Sequence, residues 1–286
     1  MLPQKPGSVK TLKLRFCFNL QTKFERREGG RMHISEWTLL AVLSLGLIQG
    51  SIRLEETRDA LSQARQLLIV TTKDWNAVDG ELQRYERTEG QAWHSVGERI
   101  PIVVGRSGMA WGRGLHGELA GLAKASDPVK KEGDGRAPAG IFRLSSAFGY
   151  AAREQASQVK LSYVQATKTL ECVDDPKSAN YNRILDGQRI AAPDWKSSEI
   201  MQRDDEQYRW GVVVDHNADP PQVQCGSCIF LHIWQAAGKG TAGCTAMPAA
   251  KIEGLLFWLD PQQRPLLVQL PQAELARLRE RWRLPR

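Results

Sequence analysis

His232 closes an apolar run, Cys228-Ile-Phe-Leu-His232, and Cys244 follows it by twelve positions. The loop between them carries Gly238, Gly240 and Gly243, residues that leave the backbone slim and free to take unusual φ values. A cysteine attacks as its thiolate, which an imidazole within reach or a helix N-terminus favours. Gly243 leaves the peptide units around it uncovered, so amides at Gly243, Cys244 and Thr245 can face a developing oxyanion. A helix beginning near Pro248 would aim its first amides toward the same loop. Together these residue types describe acyl transfer, with Cys244 as nucleophile and His232 as the base that takes its proton and later returns it.

Zinc is the rival chemistry. Cys225-x-x-Cys228-x-x-x-His232, with His216 upstream and Cys244 downstream, supplies enough ligands. Read as one strand, Cys228 and His232 stand four positions apart, roughly 13 Å by strand rise, which is too far to share an ion. The expectation is therefore no metal and no organic cofactor. Five cysteines fit one free thiol and one bridge; Cys17 falls in the leader. With Cys244 free, Cys172, Cys225 and Cys228 can form at most one bridge, and their pairing is open.

The elements that must position these groups read as mostly β. Strands are expected at 67–72, 81–87, 93–96, 101–105, 138–144, 210–215, 228–232 and 265–270, with Gly-rich turns over 105–117. Short strands at this spacing indicate a mostly antiparallel arrangement within an α+β chain. Helices fit 54–66, 248–259 (apolar at Ile252, Leu255, Leu256 and Leu259, with Pro248 at N1) and 272–281. Residues 119–136 read as irregular. The stretch 151–209 is polar and aperiodic, and reads as a long insertion over the surface that shapes a substrate groove. Asp215-His216-Asn217, after a buried strand, fits a functional loop or a turn equally.

Nucleic acid is excluded as a partner by where the charge sits. The chain carries +7, but residues 1–31 hold eight basic side chains against two acidic ones, leaving +1 for the rest. That leader precedes the apolar run 37–48, whose twelve residues suit the core of a secretory signal or an uncleaved membrane anchor. Met32 is a plausible true start. The expected organisation is a leader over 1–51, a catalytic domain over 67–271 and a C-terminal helix over 272–286, exported to the periplasm.

The segment His232…Thr241-Ala-Gly243-Cys244 resembles the signature of the L,D-transpeptidase catalytic domain, the YkuD family, in a Gram-negative branch with Gly-Cys-Thr-Ala-Met. Arg136-Ala-Pro-Ala-Gly-Ile-Phe142 resembles the family's Thr-Pro-x-Gly-x-Phe strand, with Ala137 in place of Thr. Blocks around Val104, Cys172, 208–217 and 226–234 extend the likeness to about residues 67–271. The resemblance implies a β-sandwich-like catalytic domain and an exported enzyme acting on peptidoglycan stem peptides. It implies that Cys244 forms an acyl-enzyme, that His232 serves as base, and that the backbone carbonyl of Ile233 orients the imidazole. A second stem amine then resolves the intermediate in transpeptidation; water resolves it in a carboxypeptidase or amidase. A non-catalytic wall-binding module held by zinc or a disulfide is the reading from another class. Better-known members place His before the Gly-Cys and Arg two residues after the Cys, where this chain has Ala242 and Ala246. Arg136, Arg209 or Arg183 would then have to meet a substrate carboxylate, with Trp210, Trp234 and Thr241 as further candidates for the groove.

Overall fold

A computed structural model of the chain describes residue 57 and residues 59–286. The leader, the apolar run 37–48, Met32, Cys17 and most of the first turns of the expected 54–66 helix lie outside the described residues. Among the described residues no helix is long and apolar enough to cross a membrane.

The protein is mostly β with a few helices. In chain order the strands are β1 (Gln66–Thr72), β2 (Asp79–Glu86), β3 (His94–Val103), β4 (Met109–Trp111), β5 (Ala137–Gly149) and β6 (Ser162–Gln165). They continue with β7 (Leu170–Val173), β8 (Ile184–Asp186), β9 (Ser198–Ile200), β10 (Trp210–Val214), β11 (Phe230–Ile233), β12 (Thr245–Met247) and β13 (Leu266–Pro271). Helix α1 covers Ala249–Trp258 and α2 covers Gln272–Leu278. The large sheet runs β10-β11-β12-β3-β2-β1-β13-β5-β4, and β6 joins it on β5. Strand β5 bridges two partners, because its first half pairs with β13 and its second half with β10. This brings β10, at one end of the path, back onto β5.

Several expectations are corrected here. The strands expected at 93–96 and 101–105 are one strand, β3, in which Gly97 at φ 66° sits in a bulge opposite Leu82–Arg84. The turn expected over 105–117 contains β4. Four of the pairings are parallel, β1–β13, β11–β12, β4–β5 and β5–β6, although antiparallel pairs remain the majority. Pro248 is the residue before α1 rather than its first helical one, and α2 stops at Leu278. The stretch 151–209 is not structureless: β6 joins the large sheet, and β8-β7-β9 form a small sheet of their own.

The main core gathers buried side chains of the large sheet and of α1, among them Leu67, Leu68, Val70, Ile141, Phe142, Leu231, Met247, Leu255 and Leu256. A second cluster lies on the other side of β11. Phe148, Tyr208, Phe230, Met201, Cys228, Cys172 and Cys244 belong to it, so it joins the large sheet to the 151–209 region. The open pairing among the cysteines is resolved as Cys172–Cys228, across a sequence separation of 56. The bridge staples β7 to the residue two positions before β11. Opening it, by reduction or by Cys172→Ala with Cys228→Ala, should lower unfolding stability by about 4 kcal/mol, the chain-entropy value for a loop of this length. Urea titration with and without reductant reads this directly, and coincident curves would refute it.

Candidate active site

Strand β11 alternates between the two cores. Leu231 and Ile233 turn to the main core, whereas Phe230 and His232 turn to the second cluster. Strand β12 runs parallel to β11 in the register Leu231↔Thr245 and His232↔Ala246. Cys244, one step before β12, therefore lies beside Phe230, whose N–H donates to Sγ at 3.3 Å. The thiol also faces the Cys228 carbonyl at 3.6 Å. Phe230 and His232 are two apart on one strand, so Cys244 and His232 stand diagonally on the same face. Diagonal neighbours have Cα atoms about 7–8 Å apart. The two groups share a face without a hydrogen bond between them.

The parallel register depends on the crossover loop. Gly240 packs so closely on Arg106 that a Cβ would lie 2.5 Å from the Arg106 Cα. The Thr241 N–H donates to Val104 O, and its hydroxyl donates to the Cys244 carbonyl at 2.7 Å. The same hydroxyl accepts the Gly243 N–H at 3.1 Å. Thr241 thus fixes the turn that delivers Cys244 instead of lining a groove. The Gly243 amide is committed to that hydroxyl, and Thr245 sits inside β12 with its own hydroxyl on Gln269 at 2.6 Å. Of the three expected oxyanion donors, the Cys244 amide is the candidate that remains. The start of α1 is not beside the thiol, because the three residues of β12 intervene, about 10 Å of strand.

The imidazole of His232 has a defined tautomer. Its Nδ1 lies 2.7 Å from the Ile233 carbonyl, which can only accept, so Nδ1 carries the proton and Nε2 is the basic nitrogen. Burial is the main reason its pKa is held down at about 4; the Ile233 hydrogen bond opposes that and the Arg203 charge adds to it. Burial likewise pushes the Cys244 thiol well up, with the Glu199 carboxyl adding to the shift and the Phe230 N–H opposing it. At neutral pH the resting pair is a neutral thiol and a neutral imidazole. A thiol and imidazole in these states do not form a resting ion pair, so attack by Cys244 would require its deprotonation in the same step. An ordinary thiol titrates near 8.5 and its alkylation levels off about one unit above that. Alkylation of Cys244 by iodoacetamide should still be rising at about pH 10, and a plateau near pH 9 would contradict the burial argument.

Tyr208 covers the pair. Its ring meets the His232 ring edge-on at 5.2 Å, and its hydroxyl donates to Glu199 at 2.7 Å while facing the Cys244 thiol. Burial raises Glu199, which arrives on β9 of the small sheet. Arg203 lies over the Tyr208 ring at 5.1 Å, clamped by Asp205. Glu199, Arg203 and Asp205 carried no sequence signal, since they fall in the aperiodic 151–209 stretch, and Tyr208 was marked only as the first residue of the 208–217 block of the resemblance. Only the return of that stretch onto β11, secured by the disulfide, brings them to the thiol.

The remaining candidates fall elsewhere. Trp210 is buried in β10 between Tyr163 and Phe257, so it is core and not groove. The Arg136 guanidinium donates through Nη1 to the Trp75 and Met109 carbonyls and through Nη2 to Asn76, which makes it a structural clamp. Arg209 and Arg183 are exposed, and Arg209 pairs with Glu206 at 3.1 Å. Trp234 is half-buried just past β11, with its N–H on Met247 O. His216 and Asn217 are buried knots that tie 112–113 to 222–226, which gives Asp215-His216-Asn217 its structural reason. Cys228 lies ahead of β11 at φ 54°, contrary to the single strand on which the zinc spacing rested, and its sulfur is engaged in the disulfide. No protein-family model matches the chain, and no curated protein matches it either.

Proposed function

We propose that this protein is a peptidoglycan L,D-transpeptidase whose Cys244 forms an acyl-enzyme with a stem peptide and passes it to an acceptor amine. The observation that carries the reading is the diagonal placement of Cys244 and His232 across the parallel β11–β12 pair, with the Ile233 carbonyl fixing the imidazole tautomer. In the step, Nε2 takes the thiol proton as sulfur bonds to the scissile carbonyl carbon, and the Cys244 amide receives the oxyanion. Collapse of the tetrahedral species expels the amine, which leaves with the proton returned by His232. The acceptor amine then attacks the thioester and regenerates the thiol. No metal or organic cofactor enters this scheme.

The finer fold assignment belongs to the same reading: a β-sandwich-like L,D-transpeptidase catalytic domain over 67–271, in an exported, periplasmic protein that acts on stem peptides. The two-partner path of β5 and the packing of α1 on the sheet are compatible with it. Hydrolysis is the second reading. Ala246, paired with His232, offers no charge to hold an acceptor, which favours water as the resolving nucleophile. Incubation of the full chain with crosslinked and uncrosslinked muropeptides separates the outcomes by product mass. Joined products support transfer, shortened stems support hydrolysis, and unchanged substrates in both pools refute the enzyme reading.

A further inference from the structure

Cys244 and His232 are 5 % and 4 % exposed, so whatever reaches them must pass the residues packed over them. Those residues come from the segment between β9 and β10. Arg203 is the exposed edge of that cover, with 40 % of its side chain accessible. It lies 5.1 Å over the Tyr208 ring, which also meets the His232 ring at 5.2 Å and the Phe148 and Phe230 rings, so the guanidinium and the imidazole both abut one aromatic ring.

The guanidinium is held on one edge only. Asp205 accepts from Nε at 3.1 and 3.2 Å and from Nη2 at 2.9 Å, and Asp205 is in turn fixed by the Gln207 amide and side chain. Nη1 has no acceptor among the described residues, so half of the planar fork remains for an incoming oxygen pair. The pair is not electrically silent at the site, because Arg203 acts on His232 more strongly than Asp205 does.

Other cations do not compete for this position. Lys130 acts on Cys244, but it is 4 % exposed and bound to Asp134 and the Lys131 carbonyl. Arg136 is spent on backbone carbonyls and Arg209 on Glu206. Around the thiol and imidazole the charged or titratable groups are Glu199, Tyr208, Lys130, Arg203 and Asp205.

We propose that Arg203 is the specificity-determining residue of this site, its Nη1 edge receiving a carboxylate of the acyl donor. The donor is then a peptide bearing a free carboxylate near the bond that Cys244 attacks. Tyr208 spaces that carboxylate from the reacting atoms, and Asp205 keeps the fork oriented. The donor clause rests on the acyl-transfer reading, whereas the cation itself can be tested without it.

The test compares two alkylating reagents of nearly equal size, anionic iodoacetate and neutral iodoacetamide, on the full chain at pH 8. The iodoacetate to iodoacetamide rate ratio at Cys244 should exceed that of the unfolded chain. Arg203→Met should lower that ratio about tenfold, the scale of one charge-assisted contact, with iodoacetamide labelling within about twofold of wild type. Arg203→Lys should keep part of the preference. An unchanged ratio in Arg203→Met, or no labelling of folded wild type by either reagent, overturns the proposal. A second arm uses stem peptides with the free carboxylate or its amide. Arg203→Met should raise KM about tenfold for the carboxylate form and leave the amide form unaffected. If wild type turns over neither peptide, the acyl-transfer reading fails while the reagent ratio still decides the role of Arg203.

Discussion

Cys244→Ala should abolish turnover of muropeptides and formation of the acyl-enzyme, a loss on the order of 10⁴-fold or more if the thiol is the nucleophile. The fold should survive the change. Sγ contacts the Phe230 N–H and the Cys228 carbonyl inside the second cluster, and its removal leaves one unmet amide and a void smaller than a methylene pair. That costs about 1–2 kcal/mol. An inactive Cys244→Ala with a normal melting profile is therefore informative, because loss of structure does not explain it. Intact-mass measurement after exposure to iodoacetamide or a carbapenem should show one adduct fewer than wild type. Residual product formation by this variant would end the nucleophile assignment. Cys244→Ser fills the space and separates packing from chemistry: stability near wild type, turnover still lost.

The second large effect is acid lability, and its source is three buried imidazoles. His116 accepts the Ile141 N–H on Nδ1 at 3.1 Å and gives its Nε2 proton to the Gly112 carbonyl. His216 accepts the Arg113 N–H on Nδ1 at 3.2 Å and reaches the Cys225 carbonyl through Nε2. In both, the unprotonated nitrogen already faces a backbone donor, so adding a proton breaks that contact. Burial holds His116 and His232 at about 4 and His216 at about 3. The unfolded chain protonates its histidines near 6.5. As pH falls from 6.5 toward 4, the unfolded state thus binds protons that the folded state refuses, and stability falls with pH. Each imidazole contributes about 1.4 kcal/mol per pH unit in that window, so three set an upper limit of about 4 kcal/mol per unit. Glu199 and Asp215, both raised by burial, act in the opposite sense and flatten the slope. Thermal melts at pH 7, 5.5 and 4.5 should show a steep decline. A flat profile would mean that these imidazoles are not held neutral.

The two effects meet in His232, which is both the base of the proposed reaction and one of the acid-labile knots. Activity at low pH should therefore fall through loss of stability below about pH 6.5, before His232 itself titrates in the folded protein at about 4.

Much of this protein was legible in the residue order because local chemistry writes it there. Runs such as Leu67–Val70 and Trp210–Val214 are β-branched or apolar enough to be strands in almost any context, and both are. The glycines between His232 and Cys244 announce a tight crossover, and a histidine followed by a Gly-flanked cysteine is what motivates the acyl-transfer proposal. What local spacing does not contain is register. Whether β12 runs parallel to β11, and therefore whether Cys244 shares the His232 face, depends on the docking of the loop on Arg106 and Val104 far upstream. The choice between Cys225 and Cys228 for the bridge was equally open, since proximity to Cys172 is made by β7 returning over the sheet. The largest gap was the 151–209 stretch. It lacks periodicity because its strands β6 to β9 are only three or four residues long and irregular chain separates them, so nothing marked Glu199, Arg203, Asp205 and Tyr208 as the cover of the thiol. Conversely, Arg136 and Trp210 have the residue types of a binding groove, yet backbone carbonyls claim one and the core the other. Residue type determined which groups can react; only tertiary packing decided which of them still have an unused edge.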